Sequence, residues 1–546
     1  MNTGLSAFSL KKQANAVEWK LLVFLVLFMD VKLYVKVAAI VLIIIMQPDF
    51  RFGFRLRNSR LPLFYPLAIG IAVLNWLIYQ QFTVNYSLVL LTGILFWAAC
   101  ILAVHQVKLF VERTDVQILH NTLVVFFLLN IAVSLLNLSA IFLEIGLRNP
   151  FHYQGLYQKY FINTGDHIKG LSFDNSTTNA LINGFGVVYF LYRGKYWFSI
   201  ACMIILILTA SNFTNLILLF VFAVLFLLKS TRDQKSIMVV CSILLVVFLA
   251  KFSPQNDHYI NELFGKFVLK KKEKAVAPVK VLPIRERPDS LLDPEGRREK
   301  IATLYLDSLE KIAMLQVTPG NGLSRISIAA LKERPEIPGD SIHTAKFQWK
   351  RDTTAIQRQI LTYAEKQSIE PAVINSEYNG SMPGKLLSFK ESINFFKGER
   401  ARIFTGNGMG NFSSKLAFRA TGLKLAGGYP KQFVYSNRDF LENHFSLYTY
   451  FFTKNAGAHS LVNNPASVYD QVFTEYGIFG MAALIFYYVG FFFRDRSKLT
   501  YGIPILGLML AAFLMDYWFE QLSIVVLFEL MMFIDIKEHT KYTVNE

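Results

Sequence analysis

The chain has 546 residues, 53% of them hydrophobic and 15% aromatic, with a formal net charge of +17. Soluble domains hold about 45–50% apolar residues on a count that already includes glycine. Here blocks such as LLVFLVLF, AAIVLIII and NLILLFVFAVLFLL are apolar on every face, which excludes a soluble all-α core built from helices with polar faces.

Residues 1–16 are polar, and no small-residue cleavage site follows the first apolar block, so that block is expected to stay as an anchor. Counting about 15–22 apolar residues per crossing predicts twelve spans: 17–29, 33–47, 61–80, 86–105, 122–145, 179–193, 196–210, 213–228, 236–251, 471–493, 501–517 and 520–535. Asp30 and Lys32 interrupt the first two. With the N-terminus inside, the inner loops carry Arg51, Arg55, Arg57, Arg60, Lys108, Arg113, Arg193, Lys195, Lys229, Arg232, Lys235, Arg494, Arg496 and Lys498. The short outer loops offer only Lys32, Arg148, Lys159 and Lys169. This asymmetry predicts that both termini are cytoplasmic and that residues 252–470 lie outside.

The expected fold is therefore an all-α polytopic membrane protein. Residues 1–251 form a first bundle of about nine helices, 252–470 one large, mostly helical outer loop, and 471–546 the last three helices with a short tail. Within the loop, 266–300 is rich in Lys, Arg, Glu and Pro and reads as a solvated tether. It lacks interleaved aromatics and faces away from the cytoplasm, so nucleic acid is not an expected partner. Residues 298–332, 353–368 and 385–400 read as helices, followed by turns containing GNGMGNF and AGGYP. Cys100, Cys202 and Cys241 all lie in apolar blocks, leaving the loop without thiolate ligands. Asp30 has no second acid at ligand spacing, so no metal site and no cofactor is expected. Asp516 and Glu520 flank the outer turn between the last two spans, where they can pair with loop cations.

The sharpest pattern is AHSLVNNPASVYDQVFTEYGIFG, residues 458–480. His459 and the loop Asn463-Asn464-Pro465 lead into a span carrying Glu475, Gly477 and Gly480. Small residues at this spacing allow close packing, and a membrane glutamate is costly unless paired. His459 followed by Glu475-x-Gly477-x-x-Gly480 resembles the signature of the bacterial O-antigen ligase and polymerase superfamily. Gly384-Lys385 resembles that family's Gly-Arg start of a loop helix, and Gly406-Asn-Gly408-Met-Gly410-Asn-Phe412 its glycine-rich turn. Leu208–Asn212 stands where the family has Thr-x-Ser-Arg at an outer helix boundary. Lys385 and Asn212 replace arginines, and the gap from His459 to Glu475 is longer than the family's, which makes His444 a rival for the catalytic position.

The resemblance implies a GT-C-like, metal-independent inverting glycosyltransferase. Its donor is an oligosaccharide on undecaprenyl diphosphate, its acceptor the hydroxyl of a lipid-linked repeat or of lipid A-core, and its setting the bacterial cytoplasmic membrane and its lipids. It implies His459 or His444 as general base. Lys385, Arg148, Lys159, Lys169 and Asn212 would bind the diphosphate, and Glu475, Gly406, Gly408 and Asn463 would support the site. The competing expectation is a polytopic transporter or flippase for lipid-linked sugars. That reading needs ionisable groups in mid-membrane, whereas the charges of this sequence cluster at predicted helix ends.

Overall fold

A computed structural model describes residues 16–145, 168–227, 230–249, 300, 355–367, 382–452 and 461–543. Among them every regular element is helical. The first nine helices are α1 Trp19–Met29, α2 Leu33–Met46, α3 Phe64–Ile78, α4 Val84–Arg113, α5 Val116–Ile145, α6 Ser176–Tyr192, α7 Tyr196–Leu208, α8 Asn212–Leu227 and α9 Arg232–Val247. The polar segment contributes α10 Ala355–Lys366, α11 Gly384–Gly398, α12 Lys415–Ala420 and α13 Ser446–Phe452. A π-helical turn, Phe440–Phe445, leads directly into α13. The chain closes with α14 Val468–Phe493, α15 Gly502–Ala512, the single turn α16 Trp518–Gln521 and α17 Ser523–Thr543.

Helices therefore stand at all twelve predicted spans, but their lengths differ from the expectation. Among the described residues three stretches, Val84–Arg113, Val116–Leu143 and Val468–Phe493, are long and apolar enough to cross a membrane. Others are apolar but short: α1 has 11 residues, a rise of about 16 Å against a hydrocarbon core of about 30 Å. The interruption at Asp30–Lys32 ends α1 early, whereas α4 runs beyond its apolar block through Lys108 to Arg113. Twelve full crossings are not established by these lengths.

The central post is α17, whose residues from Ile524 to Ile534 are buried on every side. That is the fate of a helix that is apolar all round. It packs on α4, α15, α5 and α6. Glu529 breaks the expectation that charges stay at helix ends. It lies fully buried within α17, and its carboxylate accepts a hydrogen bond from the Tyr65 hydroxyl. That partner, supplied by a distant helix, is what a reading of local pattern misses. Asp535 is also buried but has a local task, accepting the backbone N–H of Thr500 at 2.7 Å and of Gly502 at 2.8 Å where α15 begins.

The connecting segments gather at two ends. At one end Arg60 pairs with Glu112, Arg113 with Asp49, and Arg193 with Glu538. There Lys537 Nζ also donates to the carbonyls of Val111 and Thr114. At the other end Val31 N–H donates to Ser172 O at 2.9 Å. The polar segment caps α3 and α4 at that same end: Asn75 donates to Gly406 O, Tyr79 to Ala401 O, and Asn85 to Val434 O. The basic loops and the polar cap thus occupy opposite ends of the bundle.

Candidate functional site

Helix α14 is broken where the sequence reads Glu475-Tyr476-Gly477. Gly477 adopts φ 66° and ψ −160°, outside the range of an L-residue. The break frees backbone groups that residues 404–408 occupy like an inserted strand. Asn407 N–H donates to Thr474 O at 2.8 Å, Gly408 N–H to Glu475 O at 3.1 Å, and Phe479 N–H to Phe404 O at 3.0 Å. A Cβ on Gly477 would lie 2.5 Å from Phe404 O, and one on Gly406 2.3 Å from the Glu475 carbonyl carbon. The glycines of both motifs are therefore there for mutual backbone approach.

Glu475 completes this joint. Fully buried, its carboxylate accepts the backbone N–H of Gly410 at 2.9 Å and of Phe412 at 3.2 Å. The amides of Gly406, Gly408 and Gly410 all donate within the protein. They form the turn and are not presented to a phosphate. Glu475→Gln would aim an amide NH2 at one of these N–H groups, costing about 1–3 kcal/mol. Thermal unfolding in detergent checks this; an unchanged midpoint would show that the turn does not depend on the carboxylate.

The Asn-Pro loop meets the start of α11. Asn463 Oδ1 accepts Gly384 N–H at 3.2 Å, and Val462 O accepts Lys385 N–H at 3.0 Å. The Lys385 ammonium turns inward, donating to Ala466 O at 2.5 Å and Met515 O at 3.4 Å. It clamps the loop to the turn before α16 instead of facing outward to a phosphate. Burial pushes Lys385 down to about 7, against the opposing pull of Asp516 and Asp470. Between pH 7 and its unfolded value near 10.5, the folded protein leaves Lys385 neutral while the unfolded chain binds the proton. Stability due to this group therefore rises with pH across that window and is lowest below it. The melting temperature of wild type minus that of Lys385→Met should increase from pH 7 to about pH 9.5; a flat or falling difference would contradict a buried lysine.

Next to Lys385 lies a closed polar cluster around His444, which the π-helical turn Phe440–Phe445 turns inward. Ser388 of α11 donates to Asp470 Oδ2 at 2.6 Å, and Ser392, one turn later, lies 2.5 Å from the other oxygen. With its hydrogen committed to Asp470, the Ser388 oxygen accepts from His444 Nδ1 at 3.3 Å. That assigns the Nδ1–H tautomer and leaves the Nε2 lone pair free to accept. Nε2 faces two hydroxyls, Tyr517 at 2.6 Å and Ser413 at 3.3 Å. Asp470 itself stands 3.7 Å from Nδ1. Burial first, then the nearby Lys385 charge, holds the imidazole down to about 3, so it is neutral at physiological pH.

No family model matches this chain, and neither a curated protein nor a solved structure matches it. The chemistry of the site stands on its own residues. Of the residues singled out from the sequence, His444, Lys385, Glu475, Gly406, Gly408 and Asn463 are brought into one contiguous assembly. His459, Arg148 and Lys159 lie outside the described residues. Lys169 precedes a 3-10 turn, Gly170–Ser172, held under α5 by Asn130 and Asn137. Asn212 opens α8, which packs on α6, α9 and α15, whereas the Lys385 helix packs on α13 and α14. Asp516 and Glu520 accept from Gln521 and Gln471 respectively. Ser388, Ser413, Asp470 and Tyr517 were not singled out. The spacing Ser388/Ser392 and an aspartate five residues before the membrane glutamate point to Ser388 and Asp470; nothing local marks Ser413 or Tyr517.

Proposed function

We propose that this chain is a multi-pass protein of the bacterial cytoplasmic membrane, both termini inside, that works as a metal-independent inverting glycosyltransferase of the O-antigen ligase or polymerase kind. Its donor is an oligosaccharide on undecaprenyl diphosphate and its acceptor a sugar hydroxyl. The reading is carried by one observation: a buried neutral histidine whose Nε2 lone pair meets hydroxyls while its Nδ1–H is oriented through Ser388 to Asp470. An acceptor hydroxyl taking the place of the Tyr517 hydroxyl would stand where Nε2 can remove its proton. The acceptor oxygen attacks the anomeric carbon, the bond from that carbon to the diphosphate oxygen breaks on the opposite face, and the diphosphate departs on its lipid. The proton stays on His444, and Asp470 faces the resulting imidazolium. The arriving diphosphate also raises the basicity of the imidazole, opposing the burial and the Lys385 charge that hold it low.

Surface polysaccharide from a deletion strain complemented with wild type or His444→Ala tests the reading. Core bearing a single repeat in the deletion and in the variant identifies a polymerase. Bare core with long chains retained on the carrier lipid identifies a ligase. A normal ladder in every strain would sink both.

Buried Glu529 favours a second reading, transport of a lipid-linked sugar. Under that reading Glu529→Gln stops translocation of the lipid-linked glycan in vesicles and His444→Ala leaves it intact. The transferase reading expects neither substitution to alter translocation.

A further inference from the structure

A small recess opens between the α1–α2 turn, the start of α6, and α12 with α16. Lys36, Lys415 and Arg419 line it, with Asp174, Glu520 and Phe96. Lys36 is buried, its ammonium bound to Phe28 O and Ser523 Oγ. Arg419 spends two N–H groups on Ala426 O and lies over the Phe96 ring at 5.1 Å, which fixes the plane of its guanidinium. Lys415 makes no hydrogen bond or ion pair among the described residues. Three basic side chains outnumber the two acids on this partly desolvated wall, and an excess of cations there favours an anion. Met29, Val31 and Leu33 are its apolar lining, Met29 buried and Val31 exposed. Lys415 follows Ser413 by two residues, and the Ser413 hydroxyl lies 3.3 Å from His444 Nε2.

We propose that this recess is an anion port in which Lys36, Lys415 and Arg419 hold the phosphate groups of an amphiphilic phosphate ester, its apolar chain leaving over Val31 and Leu33. This deepens the transferase reading and rests on it, because it moves the diphosphate from Lys385 to a recess whose Lys415 follows Ser413 by two residues. Lys415 and Arg419 supply charge-assisted hydrogen bonds to phosphate oxygens, and Lys36, already bonded to Phe28 O and Ser523 Oγ, completes the basic side of the wall.

The test is equilibrium binding to the purified full-length protein in detergent, using undecaprenyl diphosphate, undecaprenol and inorganic pyrophosphate as separate probes. The diphosphate lipid should bind at least roughly tenfold more tightly than the alcohol. Lys415→Ala and Arg419→Ala should each weaken it by a similar factor, while Arg419→Lys restores part of the loss. Competition by pyrophosphate alone would show that the port reads the phosphates and not the chain, which still supports it. Equal binding of lipid and alcohol would overturn the port. So would wild-type affinity in both alanine variants, with folding verified by an unchanged melting temperature. His444→Ala should bind as wild type does while losing transfer. Wild-type protein that binds the diphosphate lipid without ever transferring sugar would defeat the transferase reading and leave the port standing.

Discussion

His444→Ala is expected to reduce glycan transfer by roughly 10²–10⁴-fold, the range set by loss of a positioned general base. The protein should remain folded and keep its donor affinity. The expectation follows from the local geometry. Nδ1–H is committed to Ser388, Ser388 to Asp470, and the Nε2 lone pair is left for a hydroxyl proton. His444→Gln, which keeps polarity but cannot take up a proton near neutral pH, should be nearly as inactive as alanine. Asp470→Asn should lie between, because the imidazole keeps its contacts but loses the negative charge facing the imidazolium. Steady-state transfer rates with a lipid-linked donor check the series. Wild-type rates in His444→Gln would reduce the cluster to a packing device.

Gly477→Ala should detach the polar cap from the bundle. The position requires φ 66° with ψ −160°, and a Cβ there would stand 2.5 Å from Phe404 O. Backbone strain of this kind costs about 1–3 kcal/mol. Relieving it by moving residues 404–408 away forfeits three backbone hydrogen bonds, each worth about 1 kcal/mol. Either route costs about 1–3 kcal/mol, a large share of a domain stability of about 5–15 kcal/mol. Hydrogen exchange should become fast across residues 404–412 while the long helices stay protected, and transfer should be lost with the protein still in the membrane. Gly406→Ala should give the same pattern. Gly70→Ala, whose added methyl meets nothing within 4 Å, should behave as wild type. Unchanged protection in Gly477→Ala would mean that the cap does not depend on the break in α14.

Much of this architecture is legible in the sequence because lipid imposes a simple rule: blocks apolar on every face become helices, and basic residues collect at one end of the bundle. Several described helices start and stop within a few residues of the apolar blocks, as at α2 and α7, whereas α4 and α17 run past theirs. The pattern fails where partners come from far along the chain. Glu529 looks forbidden within a helix until Tyr65 is placed opposite it. The break inside α14 is likewise invisible as periodicity, since Val468–Phe493 reads as one apolar span. Only Gly477 marks it, and its meaning depends on the loop that inserts there. At the site, short motifs singled out Lys385, Glu475, the glycine turn and His459, with His444 as its rival; His459 lies outside the described residues. The histidine placed among Ser388, Asp470 and Tyr517 is His444, and no local spacing links residues 388, 413, 444, 470 and 517. Lys385 shows the same limit: its type suggested a phosphate ligand, and its surroundings make it a buried clamp.

The most direct measurement is single-turnover transfer by purified protein in nanodiscs, from an undecaprenyl-diphosphate-linked oligosaccharide to an acceptor glycan. The anomeric configuration of the product would be read by proton NMR. Base catalysis by His444 with direct displacement predicts transfer by the wild type, inversion at the anomeric carbon, and product formation in His444→Ala slowed by at least roughly a hundredfold. Retention of configuration, or wild-type transfer rates in His444→Ala, would contradict it.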